Sequence, residues 1–198
     1  MTSAEPLSAT RARILDTATE LFYRRGVHAV GVNEITARAH ASKLSLYRYF
    51  PSKDELVTAM LTEHSDRIHA WLERETAGAP AGRARVLSVF DLLIGWFAEP
   101  DYRGCAVVNT VTDTRADPRT AEIARRHLSR YRGLLERRLR EAGPPEGGAD
   151  PAALARQLLL LIEGASVVTS IDGTATAGAD ARAAAERLLP ESPATEHR

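Results

Sequence analysis

Within twelve residues, Ser42 to Lys53, the chain places three serine hydroxyls, two ammonium groups, a guanidinium and two phenols. Ser42, Lys43, Ser45, Tyr47, Arg48, Tyr49 and Lys53 are all hydrogen-bond donors, and Leu44 stands among them as an apolar side chain. Donors of this kind suit the phosphate oxygens and base edges of nucleic acid. From Asn33 to Lys53 four basic residues (Arg38, Lys43, Arg48, Lys53) face one acidic residue, Glu34, and the chain's only two lysines both lie here. The 198-residue chain has a formal net charge of zero and a pI near 7.0. It therefore has no overall field for nucleic acid, and any such contact must rest on this local patch.

Two short helices are expected to position these groups. Val32, Ile35 and Ala39 give the apolar period of a short helix, a four-residue turn follows, and a second short helix ends in Leu46-Tyr47-Arg48-Tyr49-Phe50. The pair reads as a helix-turn-helix, which presents its second helix to the DNA major groove. At about 100° per residue, Leu46 and Phe50 fall together and face the core of the head. Leu44, Ser45 and Arg48 lie opposite and point to the groove. Lys43 and Tyr47 flank one edge and Tyr49 the other, where phosphates lie. Arg48 suits a guanine edge and Leu44 a thymine methyl. Ser42 caps the helix, and Lys53 opens the next one beside free N–H groups. The alternative is that Tyr47, Tyr49 and Phe50 are all core aromatics of a bundle.

The remaining pattern is helical. Arg11 to Arg25 carries the stripe Ile14, Leu15, Ala18, Leu21, Phe22 and stops at Gly26. Ser52 and Glu55 form an S-x-x-E capping box before a long helix to about Glu75. Thr76 to Gly82 breaks the pattern. Helices are then expected at about Arg83–Ala98, Cys105–Val111, Asp117–Ala142, Pro151–Ile171 and Ala179–Leu189, with loops at Glu99–Gly104 and Gly143–Asp150 and a disordered tail, Glu191–Arg198. No segment alternates with period two over a useful length. The expectation is an all-α fold of about nine helices, with a helix-turn-helix DNA-binding head over residues 8–68 and a helical bundle over 76–190. One cysteine excludes an internal disulfide. The six histidines show no H-E-x-x-H spacing, and there is no P-loop or nucleophile elbow. No catalytic residue, metal or cofactor is expected. The N-terminus lacks a signal pattern, and the apolar run Leu158–Ile162 is too short to span a bilayer, so the expected location is the cytoplasm, away from membranes.

These residues resemble the DNA-binding domain of the TetR (tetracycline-repressor-like) family of bacterial regulators. The matching run is Arg13-Ile14-Leu15, Ala18, Leu21-Phe22, Gly26, Glu34-Ile35, Ser42, Leu46-Tyr47, Tyr49-Phe50 and Ser52-Lys53-Leu56, about a third of the chain. The resemblance implies an all-α homodimer that binds a palindromic double-stranded DNA operator and is released by a small-molecule effector. It implies phosphate contacts by Ser42, Tyr47, Tyr49 and Lys53, and base reading by Lys43, Leu44, Ser45 and Arg48. Three positions depart from the family pattern. Gly31 stands where Ser or Thr usually caps the first helix, His40 where the turn usually has Gly, and Leu44 where a small residue is usual.

For the body, the helix Pro151–Ile171 carries an apolar stripe too wide for one neighbour. With Ala179–Leu189 it is expected to build an intersubunit four-helix bundle. Two heads would then meet half-sites about 34–36 Å apart, or a multiple of that. The ligand-binding candidates are polar or aromatic residues on apolar stripes: His64, Trp96, Tyr102, Asn109, His127, Tyr131 and Glu163. Cys105 is either a buried structural thiol or a sensor. Ligand would act through a change in head separation carried along the helix from Lys53. The competing readings are an all-α small-molecule-binding or interaction protein whose head no longer reads DNA, and an activator.

Overall fold

The computed structural model describes residues 7–114, 117–141 and 150–189. Among them are nine helices and no strand: α1 (Leu7–Arg25), α2 (Val32–Arg38), α3 (Lys43–Tyr49), α4 (Lys53–Thr76), α5 (Arg83–Phe97), α6 (Ala106–Asp113), α7 (Pro118–Glu141), α8 (Pro151–Asp172) and α9 (Thr176–Leu188). The all-α expectation holds. Of the expected loop and tail, residues 143–149 and 191–198 lie outside the described residues.

The helices form two compact units. One contains the chain up to Asp66 together with Ala106–Arg125; the other contains Arg67–Cys105 and the chain from Arg126 onward. In the first, the α1 stripe Ile14, Leu15, Ala18, Leu21 and Phe22 is buried, as are Val27, Val30, Ile35, Leu46, Phe50, Leu56, Val57, Met60 and Leu61. Each fully buried Leu or Ile contributes about 1.5–3 kcal/mol of transfer free energy. Asp113, at the end of α6, holds the turn after α1. Its Oδ2 accepts from the backbone N–H of Val27 at 2.7 Å, and His28 Nε2 donates to the Asp113 carbonyl at 2.9 Å. Gly26 makes this possible. Its φ is +79°, and a Cβ there would sit 3.2 Å from Asp113 Oδ2.

In the second unit, Leu72, Val86, Val89, Phe90, Leu93, Tyr131, Leu134, Leu135, Leu154, Leu158 and Ile162 form one buried cluster with Ala165, Ala181 and Ala185. α9 packs on α8 and α5. The approach to α5 is close: a Cβ on Gly178 would lie 3.0 Å from Ile94 Cγ1 and 3.2 Å from Phe97 Cδ2. α8 begins with Asp150, whose carboxylate accepts from the N–H groups of Ala152 and Ala153, and ends at Gly173 in the left-handed conformation. At 22 residues, with a mean hydropathy of 1.4 over its most apolar window, α8 has the length and composition to cross a membrane. The sequence reading, based on the uninterrupted run Leu158–Ile162, understated this. Instead, Leu154, Leu158, Ile162, Ala165 and Thr169 bury one side of the helix within the unit.

Candidate nucleic-acid interface and effector site

α2 and α3 are joined by residues 39–42, and the turn passes through His40 with φ +48°. This is the left-handed region, which the glycine usual at that position in the resembling family adopts without strain. The Ala41 N–H reaches the Thr36 carbonyl at 2.9 Å, which closes the turn. Gly31 begins α2 in extended conformation with no side-chain cap, whereas Ser42 caps α3 through Oγ, which accepts from Ser45 N–H at 3.0 Å.

The core edge expected for α3 is the one observed, whereas Ser45, expected on the outer side, is only half-exposed. Leu46 is wholly buried and Phe50 nearly so, while Leu44 is 82% exposed and Tyr47 47%. Lys43 and Arg48 are exposed, and Tyr49 and Ser45 are half-buried. The two phenols are thus not core aromatics; only Phe50 is.

Two groups have internal duties that the sequence did not show. The Ser45 hydroxyl lies 2.9 Å from Ser42 Oγ. Lys53 Nζ donates to the Val27 carbonyl at 2.6 Å and stands 5.8 Å from the centre of the Phe22 ring. One of its three protons is committed, and its position at the start of α4 is fixed. The capping box at Ser52 is half formed. Ser52 Oγ accepts from Glu55 N–H at 3.1 Å, but the Glu55 carboxylate accepts from Arg119 at 2.6 Å.

Of the residues expected to bind ligand, the second unit holds Trp96, Tyr102, His127, Tyr131 and Glu163; His64 and Asn109 belong to the first. Asn109 is exposed and His64 half-buried. Tyr102 is buried, and its hydroxyl lies 2.6 Å from Ser166 Oγ on α8. Its ring meets that of Trp96 edge-on at 5.4 Å. Tyr131 is buried against His69 and His127, at ring separations of 4.7 and 5.2 Å.

His69 was not anticipated. It lies one residue past Ile68 on the α4 stripe and four past the buried Ser65, a helical spacing that places it inside. Its Nε2 lies 3.1 Å from the His127 carbonyl and 3.2 Å from His127 Nδ1. A carbonyl oxygen can only accept, so His69 carries a proton on Nε2 and shares it between both atoms. His127 is then the Nε2–H tautomer, and that nitrogen stands 3.6 Å from Cys105 Sγ. Burial holds the Tyr131 phenol well above its usual range, reinforced by Cys105, Glu163 and Tyr102. Burial also raises the Glu163 carboxyl, to about 7.

Two of the cavities lined by described residues open on this unit. One of about 480 Å³ is lined by Ile68 and Trp71 of α4, Asp91, Leu92, Gly95 and Trp96 of α5, and Glu99 just beyond. The other, of about 450 Å³, lies between α4 and α7 and is lined by His69, Glu73, Arg126, Arg130, Gly133 and Arg137 among others. Both are of ligand-binding size.

A model of the family described as bacterial regulatory proteins, tetR family, matches residues 14–60, the span that contains α2, α3 and the turn between them. A TetR-family transcriptional regulator from Streptomyces coelicolor superposes with a TM-score of 0.82 at 28% identity, covering 93% of this chain and 97% of that one. Residues 14–60 are thus a tetR-type head, and the fold is that of tetR-family regulators. Among curated relatives, the transcriptional activator FasR of Mycolicibacterium smegmatis is 33% identical over 103 residues, 52% of this chain and 47% of FasR. The transcriptional repressor NemR of Escherichia coli is 32% identical over 117 residues, 57% of this chain and 59% of NemR. The matches thus span about half the length of these curated relatives. They are transcriptional regulators, a class without enzymes, and residues 14–60 of this chain match the tetR-type head.

Proposed function

We propose that this transcriptional regulator is an effector-released repressor that acts in the cytoplasm as a homodimer on a palindromic operator. The observation that carries the DNA-reading half is the division of α3. Leu46 and Phe50 are spent on the core, and Leu44, Lys43, Tyr47 and Arg48 are left outside. In this reading Arg48, Leu44, Lys43 and Ser45 face base edges, and Ser42, Tyr47, Tyr49 and Lys53 hold phosphates. Exposed apolar residues on α8 support the dimer. Leu160, Val167 and Ile171 are 73%, 46% and 76% exposed, and with Gly164 they fall on one side of the helix. Such a strip on a single helix suits an isologous contact with a second copy. The cavities of the second unit supply room for an effector, which acts only through its preference for one arrangement of the two heads.

The name of FasR favours a second reading, activation in place of repression, on the same DNA-binding chemistry. The test is a salt titration of binding to the DNA flanking the coding region, with the native protein and Tyr47→Ala, followed by transcription in vitro from that DNA. Tight, competitor-resistant binding with a steep salt slope, lost in Tyr47→Ala, supports a sequence-specific regulator. Reduced transcript supports repression, and increased transcript supports activation. Weak binding equal on random DNA and indifferent to the mutation overturns the DNA-reading function.

A further inference from the structure

Both tryptophans of the chain, Trp71 and Trp96, line the same 480 Å³ groove. Their rings meet edge-on at 6.3 Å and 70°. Trp96 cannot swing away freely, because Tyr102 abuts it at 5.4 Å and is itself tied to Ser166. The rest of the lining is Ile68, Leu92, Gly95, Asp91 and Glu99, with no basic side chain. Asp91 leans away to Arg182, whose Nε donates to its Oδ1 at 2.5 Å, whereas Glu99 stands exposed at the rim. The helical spacing explains the assembly. Leu92, Gly95, Trp96 and Glu99 follow i, i+3, i+4, i+7, and Ile68 and Trp71 are three apart on α4. Gly95 creates the hollow: a Cβ there would have no atom within 4 Å.

Indole faces carry negative quadrupole potential, and tryptophan is the strongest aromatic partner for a cation. Two indoles, two aliphatic side chains and a rim carboxylate therefore select for an apolar body bearing delocalised positive charge. They select against an anion, for which the groove offers no donor cation. We infer that the groove between α4 and α5 binds a lipophilic organic cation through Trp71, Trp96 and Glu99. This deepens the effector reading above and rests on it only for the consequence at the operator; occupancy of the groove is measured without DNA.

Because both tryptophans are in the site, intrinsic fluorescence of the full-length protein reports binding directly. The probe is tetraphenylphosphonium, with tetraphenylborate as a control of the same shape and opposite charge. Saturable quenching is expected with the cation and not with the borate. Glu99→Gln should weaken cation binding several-fold, up to about tenfold. Gly95→Leu should abolish it by filling the hollow, with the helical circular dichroism and melting temperature retained. Equal binding of both ions, no saturable quenching, or full binding by Gly95→Leu would each overturn the inference. Operator binding measured with and without the cation then separates the two claims. A bound cation that leaves operator affinity unchanged preserves this site and removes it as the effector site.

Discussion

Glu163 departs from the behaviour its type dictates. Burial raises its carboxyl from 4.5 to about 7, because the charged form loses hydration on folding. The folded protein thus holds this proton more tightly than the unfolded chain does. The stabilising effect of the neutral form is fully present below about 4.5, is lost as pH rises toward 7, and is absent above it. Glu163→Gln should flatten this part of the stability profile. In thermal melts it should raise the melting temperature at pH 8 and leave it nearly unchanged at pH 4; equal shifts at both would assign the effect to packing. On the proposed DNA-reading surface, Arg48→Ala should cost about 1–3 kcal/mol and relax preference at one base position, whereas Lys43→Ala should change base preference at a different position. Operator variants scored by competition binding separate these outcomes.

At the level of elements, the turn between α2 and α3 stores strain at His40. A left-handed φ in a non-glycine residue costs about 1–2 kcal/mol, part of which glycine returns as extra chain entropy on unfolding. His40→Gly should therefore stabilise the head by about 0.5–1 kcal/mol, measured by urea unfolding. A destabilised variant would mean that the imidazole makes a compensating contact. The caps of α3 and α8 were legible because Ser42 and Asp150 are strong capping types at helix starts. The fate of Glu55 was not legible. Its competitor, Arg119, is 64 residues away, and a local motif carries no information about so distant a partner.

For the whole molecule, the outer strip of α8 carries the prediction. A double variant, Leu160→Glu with Ile171→Glu, should yield a monomer by sedimentation equilibrium with unchanged helical circular dichroism, since both side chains are more than 70% exposed. Operator affinity should fall steeply in the monomer, because one head meets one half-site. A variant that remains dimeric would place the subunit contact elsewhere.

The sequence by itself determined the helices, the split of α3 into a core edge and an outer edge, and the membership of the head in its family. These follow from short-range causes: the 3.6-residue period, capping chemistry and turn residues. It also placed Leu44 outside and Leu46 inside, two positions apart on opposite faces. Only the tertiary structure decided which distant residues meet. Asp113 closes the turn after α1, Lys53 bonds the Val27 carbonyl, and His69 shares its proton with His127. Tertiary structure also joined Trp71 with Trp96 at one groove. Periodicity fixes which face a side chain takes, but the element that meets that face depends on how the whole set of helices buries its apolar surface at once.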